Sequence, residues 1–179
     1  MSALGHAYGE WVIITPATKT EDGLREQSCT RCSELVNRET IPAGSVGLDF
    51  SLNANSYYVS GIGTCTDTDI VIPAKYNGKP VTGIGDAAFA NCSSLTSITI
   101  PEGVTSIGMS AFDTCTSLTS ITIPSSVTRI AEKALIYCSS LTSIQFNGTK
   151  AHWEAMTTGY WYNGPAIQII CSDGVVSIG

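Results

Sequence analysis

The chain has 179 residues, 43% of them apolar and only 13% charged, with a net charge of −6. That length suits one ordinary domain with a small appendage, and the apolar content is enough for a core, which excludes a disordered chain. The acidic balance argues against nucleic acid as a partner, because phosphate binding needs clustered Lys and Arg; no apolar run approaches 18 residues, so no membrane insertion is expected.

The first residues, MSALGHAYGEWVII, carry no basic segment followed by an apolar one, so no signal peptide is visible. Residues 1–43 alternate strand-like runs with Glu21-Asp22-Gly23 as a turn, and read as a small β module ending in a Pro42-Ala43-Gly44-Ser45 linker. Within it, Cys29-Thr30-Arg31-Cys32 is the best metal candidate, with His6 as a third ligand. A tetrahedral zinc site needs four ligands, so a remnant site or a local disulfide is the plainer reading. A redox Cys-x-x-Cys would want a βαβ context, and none is present.

Residues 44–149 are expected to form one array. Leu48–Gly63 reads as a hairpin turning at Asn53-Ala54-Asn55-Ser56, with Phe50, Leu52, Tyr57 and Val59 placed to seal the first coil. Beyond it, Ser93–Cys115 and Thr116–Cys138 share thirteen identities in twenty-three positions. Thr68–Cys92 fits the same frame with a longer loop, and a further copy starting at Ser139 loses the pattern after Thr149. Such a period marks a solenoid, whose coils bury their apolar edges only by stacking. Leu95, Ile98 and Ile100 form a short half-buried strand stopped by Pro101, and Val104 and Ile107 form a second extended piece. Gly108 allows a tight bend, and the Ser110–Cys115 return is irregular or a single helical turn.

Residues 150–179 read as an α+β cap: a short helix with Trp153 and Met156 on one face, then aromatic residues, then two strands around Ser172-Asp173-Gly174. The expected fold is therefore mainly β, a solenoid of coils about 23 residues long with a small N-terminal β module and a C-terminal cap.

The frame LTSITIP..VTSIG..AF..C resembles the BspA-like leucine-rich repeat family of bacterial cell-surface proteins, and GIGTCTDTDIVIPAKYNGKPVTGIGDAAF is similar to the first repeat common in that family. The likeness covers Leu48 to Thr149, with Leu135 departing where the other coils have Phe89 and Phe112. FNGTKAHWEAM resembles the segment that often closes such arrays, and residues 1–43 resemble a β module found beside them, with Lys19 where a cysteine is usual. The resemblance implies an extracellular or cell-surface location and a non-enzymatic role in adhesion, with no cofactor and with a protein or a glycan as partner. A structural spacer or self-assembly element is the alternative, and an accessory domain of a carbohydrate-active enzyme is another.

Three features are candidates for binding. If Leu95, Ile98 and Ile100 point inward, Ser97 and Thr99 point outward, stacked beside Ser120, Thr122, Ser143 and Gln145 in a polar strip. Tyr160 and Tyr162 form an aromatic patch, with Trp153 and Trp161 given to cap packing. Cys92, Cys115 and Cys138 recur every 23 residues; coils about 4.8 Å apart place them in a ladder with poor disulfide geometry, so they are expected to be reduced and buried. Gly83–Ala88 matches a pyrophosphate-binding pattern but lacks the βαβ unit, and His152-Trp153-Glu154 lacks the second histidine of a zinc helix. Asp67 and Asp69 are read as a polar loop before a strand, at best a weak calcium contact.

Overall fold

The computed structural model describes residues 8–15, 23–33, 35–41, 43–156 and 160–178. The chain divides into two compact units, Met1–Gly44 and Ser45–Gly179. The first is an antiparallel meander of β1 (Tyr8–Thr15), β2 (Gly23–Cys29) and β3 (Leu35–Ile41). Polar cross-strand contacts tie it together: Gln27 Nε2 donates to the Gly9 carbonyl at 2.6 Å, Asn37 Nδ2 donates to Gln27 Oε1 at 2.8 Å, and Arg38 pairs with Glu26. His6, Lys19, Glu21, Asp22 and Pro42 lie outside the described residues.

The second unit opens with the expected hairpin, β4 (Asp49–Asn53) and β5 (Ser56–Gly61), in which Asn53 faces Ser56. The chain then runs through β6 (Asp69–Val71), β7 (Lys75–Tyr76), β8 (Lys79–Ile84), β9 (Ser97–Thr99), β10 (Ser106–Ile107), β11 (Ser120–Ile123) and β12 (Arg129–Ile130). It ends with β13 (Ser143–Phe146), α1 (Lys150–Met156), β14 (Ile167–Cys171) and β15 (Gly174–Ile178). Each coil lends one strand to each of two sheets. The Leu-x-x-Ile-x-Ile strands form one, with β6, β9, β11, β13 and β14 parallel and β15 antiparallel at its edge. The Val-Thr-x-Ile strands form the other, β8, β10 and β12, with β5 parallel and β4 antiparallel at its edge. Ile70, Ile98, Ile121, Ile144 and Ile169 stand in one inward rung series and are all at most 1% exposed.

Threonine explains the polar half of the repeat. One residue before each strand, Thr119 and Thr142 donate both backbone N–H and hydroxyl to the carbonyl of the threonine one coil earlier, at 2.9–3.1 Å. Thr105 and Thr128 do the same on the other sheet, at 2.9 and 3.2 Å. The return turns bond in the opposite direction: Phe89 N donates to Ala111 O and Phe112 N to Ala134 O, both at 2.8 Å. These returns are irregular turns, not helices, and each carries two left-handed residues in matching positions, Ala87, Ser110 and Lys133 and then Asn91, Thr114 and Tyr137, with φ of 52–61°.

The described residues from Lys150 to Ile178 continue the array. Helix α1 stands where the fourth coil would have its second strand, and β14 is a further parallel rung on β13. Residues 160–163 supply the last return: Lys133 N and Leu135 N donate to the carbonyls of Tyr160 and Trp161 at 2.7 and 2.9 Å, and Asn163 Oδ1 accepts from Tyr137 N at 2.7 Å. Leu135 pairs with Tyr162 and follows Phe112, which stacks on Phe89 with ring centroids 5.3 Å apart. Leucine thus fills one step of a ring column that an aromatic resumes. Trp153 and Met156 are buried as expected, Trp153 packing edge-on to Phe146 at 5.3 Å and to Trp161 at 5.6 Å.

Two expectations are corrected. Leu52 does not seal the first coil; it is 55% exposed beside the hairpin tip. Tyr76 takes that place, stacked on Phe50 at 4.1 Å and edge-on to Tyr57 at 5.1 Å. It is held there by a tight β7–β8 hairpin whose Asn77-Gly78 turn has φ of 47° and 74°, the signature of a two-residue turn matched to strand twist. Gly108 is not required for its φ but for space, since a Cβ there would lie 2.6 Å from Asp86 N.

Thr119→Val keeps the shape and removes the hydroxyl bond to Thr96 O; an exposed hydrogen bond of this kind contributes about 1 kcal/mol, measurable as a lower urea midpoint at unchanged m. Thr114→Asn is expected to stabilise by about 0.5–1 kcal/mol, because a β-branched residue at φ 59° is strained and Asn91 already holds the matching place one coil earlier. An unchanged or lowered midpoint for Thr114→Asn contradicts this.

Candidate functional site

Two outward faces of the repeat unit carry polar side chains. On the first sheet the expected strip is assembled in register: Ser97, Ser120 and Ser143 in one row, Thr99, Thr122 and Gln145 in the next. Asp69 and Gln168 extend the first row at its two ends. All six strip residues are exposed or half-buried. Part of their bonding capacity is used internally, because Ser97 Oγ donates to Asp69 Oδ1 and Gln145 Nε2 donates to the Ile170 carbonyl at 3.2 Å.

The second sheet carries a feature the sequence reading missed, a groove of about 890 Å³ over β5, β8, β10 and β12. Tyr58, Gly83, Ser106 and Arg129 cross its floor in one register line, flanked by Asp86, Met109 and Glu132. Asp86 Oδ1 accepts from Met109 N at 2.7 Å, which fixes that carboxylate at the rim. No hydrogen bond or ion pair with a described residue engages the Tyr58 hydroxyl, the Arg129 guanidinium or the Glu132 carboxylate. The available signal was that these positions break the repeat, where the strip obeys it.

The aromatic patch is divided. Tyr160 is 56% exposed, while Tyr162 is half-buried against the core and its hydroxyl donates to the Pro165 carbonyl at 2.7 Å. Burial, and to a smaller extent the nearby Cys138, raises the Tyr162 phenol above its ordinary pKa. The two tyrosines therefore do not form one free surface, because Tyr162 serves the ring column. Helix α1 leaves His152 half-buried, edge-on to Phe146 at 5.2 Å.

Among the cysteines, Cys115 and Cys138 are buried, and each donates its S–H to the carbonyl of the phenylalanine one coil back, Phe89 and Phe112, at 3.1 Å. Burial pushes the Cys138 thiol up to about 12 and raises Cys115 further still, so neither is a thiolate near neutral pH. Cys92 departs from the expected burial: it is half-exposed, and its pKa is raised by partial burial and then by Cys65. In the first unit, Cys29 is buried and Cys32 exposed, and Cys29 Sγ accepts from Arg31 N at 3.4 Å. With His6 outside the described residues, no group of three or more His, Cys, Asp or Glu side chains that could hold a metal occurs among the described ones. Gly83–Ala88 runs from β8 into a return turn and opens no helix, which removes the phosphate-cradle geometry. Asp69 is not in the loop but is the first residue of β6, and Asp67 lies in the loop before it.

Two parallel sheets joined by irregular returns at a step of about 23 residues define a leucine-rich repeat solenoid. A family model for the BspA type leucine rich repeat region matches residues 63–177 in six copies, and the chain belongs to this family. No curated protein matches the sequence. Among solved structures, a leucine-rich repeat protein of Treponema pallidum aligns with TM-score 0.53 and 26% identity over 57% of this chain and 51% of its own. One from Bacteroides capillosus aligns with TM-score 0.51 and 27% identity over 66% of this chain and 95% of its own. A leucine rich cell surface protein of Faecalibacterium prausnitzii is 35% identical over 64% of this chain and 35% of its own, with TM-score 0.50. The chain thus spans about half of the first of these proteins and about a third of the last.

Two measurements check the thiol assignments. Maleimide labelling of the native protein is expected to modify Cys92 at least about tenfold faster than Cys115 and Cys138; equal rates at all three contradict the burial. A thiol whose pKa is raised on folding stabilises the fold below its unfolded value and loses that contribution as pH rises toward the folded one. From about pH 9 upward, stability is expected to fall by up to about 1.4 kcal/mol per pH unit for each such thiol. The slope of unfolding free energy between pH 8 and 10 is shallower in Cys138→Ala if this holds, and unchanged if it does not.

Proposed function

We propose that this chain is a non-enzymatic binding module of a bacterial surface or secreted protein, engaging a protein or glycan partner through an outward face of its repeat array. The observation that carries this reading is the groove on the second sheet, which an aromatic hydroxyl, a guanidinium and a carboxylate line without partners of their own among the described residues. Polar groups held on a rigid sheet and left unpaired are what a binding site presents, because a ligand then replaces water without a reordering cost. The likeness to a protein described as a cell surface protein supports the location, and the adhesive role rests on family analogy. The six-residue strip on the first sheet is the competing surface for this role, and its internal bonding makes it the weaker of the two. A spacer or assembly role is favoured by a different feature, the outermost position of β15 in its sheet with Val175 exposed.

A screen against immobilised matrix proteins and a glycan array tests the reading with two variants. Tyr58→Ala combined with Arg129→Ala is expected to weaken any captured ligand by about tenfold or more, about 1.4 kcal/mol. Ser97→Glu, Ser120→Glu and Ser143→Glu together are expected to leave it unchanged. Binding lost only in the serine variant moves the site to the strip, and binding unaffected by either removes both faces. A mass that rises with concentration in sedimentation experiments supports assembly instead.

A further inference from the structure

The outward positions of a repeat array are set by the period, so the line that breaks the period is where selection for something other than stacking is visible. Thr82, Thr105 and Thr128 repeat without change, whereas the line one residue on reads Gly83, Ser106, Arg129 and is continued by Tyr58 of the first hairpin. Three interstrand steps separate its ends, roughly 14 Å.

The tyrosine is seated by two glycines that need no unusual backbone. Neither Gly83 nor Gly85 has a positive φ, yet a Cβ on Gly85 would lie 3.0 Å from Tyr58 Cδ2 and 3.1 Å from Cε2, and one on Gly83 would lie 3.6 Å from Tyr58 Cβ and 3.2 Å from Ser106 Oγ. Glycine is used here to admit a ring onto the sheet floor. The ring is half-buried and lines the groove.

The surroundings decide what such a ring receives. Strands β5, β8 and β10 are paired on both sides, and β12, outermost in its sheet, offers a backbone edge only at one end of the groove, so a peptide strand added there would lie beside the floor and not across it. A peptide held by side chains alone needs dry apolar pockets for its anchors, and Met109 is the one large apolar side chain exposed along the groove among the described residues. Hydroxyls, a guanidinium and carboxylates spread along a floor that has an aromatic ring at one end instead suit an extended ligand with apolar ring faces and many hydroxyl groups. Two carboxylates, Asp86 and Glu132, against one guanidinium disfavour a polyanionic chain.

Resting on the binding-module reading, we infer that the groove over β5, β8, β10 and β12 is a site for an uncharged oligosaccharide, with Tyr58 as its stacking platform and Arg129 and Glu132 bonding sugar hydroxyls.

The test is calorimetric titration of the full chain with cellohexaose, maltohexaose, laminarihexaose and mannohexaose, with heparin as the polyanionic comparison. At least one uncharged hexamer is expected to bind saturably, with affinity about tenfold lower in Tyr58→Ala, about fivefold lower in Arg129→Ala and retained in Tyr58→Trp. Arg129 is exposed, so its variant reports on the site even if Tyr58→Ala disturbs the sheet. Binding of heparin alone, undiminished binding by both alanine variants, or no hexamer bound overturns the assignment. A matrix protein captured in the screen above while every hexamer fails sinks the oligosaccharide and leaves the binding module standing; failure of both sinks both.

Discussion

The second unit depends on keeping successive coils in register, because its backbone is satisfied mainly between coils. Strand N–H groups reach the adjacent strand, threonine N–H and hydroxyl groups reach back to the preceding coil, and return-turn N–H groups reach forward to the next. Bonds running in both directions lock each coil against sliding along the axis. A slip of one residue would turn Ile98, Ile121 and Ile144 outward and break both threonine ladders together. This is why Leu-Thr-Ser-Ile and Val-Thr-x-Ile recur as whole words: the threonine is as structural as the isoleucine. The left-handed residues in each return follow from the same demand, since the turn must close within a fixed step, and the strain at Thr114 or Tyr137 is offset by the bonds the turn makes to its neighbour.

A stack held this way must be closed by something that bonds like a coil without being one. At the start, β4 and β5 supply a strand in register with β8, and Tyr76 from the neighbouring hairpin covers Phe50 and Tyr57. At the other end, residues 160–163 offer carbonyls at the spacing of a return, with the Asn163 side chain standing in for a backbone group. Helix α1 lays Trp153 and Met156 over the core where a second-sheet strand would be. Its own first turn is held by Thr149 Oγ, which accepts from His152 N at 3.2 Å, and by Asp173 Oδ1, which accepts from Lys150 N at 2.8 Å.

The repeats were legible because stacking imposes the same residue at the same place, and thirteen identities in twenty-three positions leave little freedom in the frame. What escaped the reading lies where the frame lapses. Asn77-Gly78 is a strong local hairpin signal, yet it sat in a loop that the repeat alignment treated as an insertion. Residues 160–163 and β14 lack the Leu-Thr-Ser-Ile and Val-Thr-x-Ile words, and it is their backbone bonds, with the family match that runs to residue 177, that show the array continuing through them. Leu52 obeys strand alternation but stands too near the hairpin tip to reach the core, which periodicity alone does not reveal. The strip residues could be placed on one face from the period, and so could Gly83, Ser106 and Arg129, while Tyr58 joins that line only through the pairing of β5 with β8, which no period reveals.

The same physics separates stability from recognition in this molecule. A position inside the ladder is constrained by its neighbours above and below, so its identity reports on stacking and says little about a ligand. The strip is of that kind: Ser97, Ser120 and Ser143 repeat, and part of the row's bonding capacity is spent along the row. Gly83, Ser106 and Arg129 occupy regular backbone positions, with Tyr58 joining their line across a register shift between β5 and β8, but the four share no side-chain chemistry, and stacking has no use for a tyrosine beside a bare glycine or for a guanidinium without a partner. Side chains that a scaffold tolerates but does not require are where binding can be written at little cost to the fold. The groove meets that condition: altering the Arg129 side chain removes no hydrogen bond among the described residues, whereas altering Thr105 removes its hydroxyl bond to the Thr82 carbonyl.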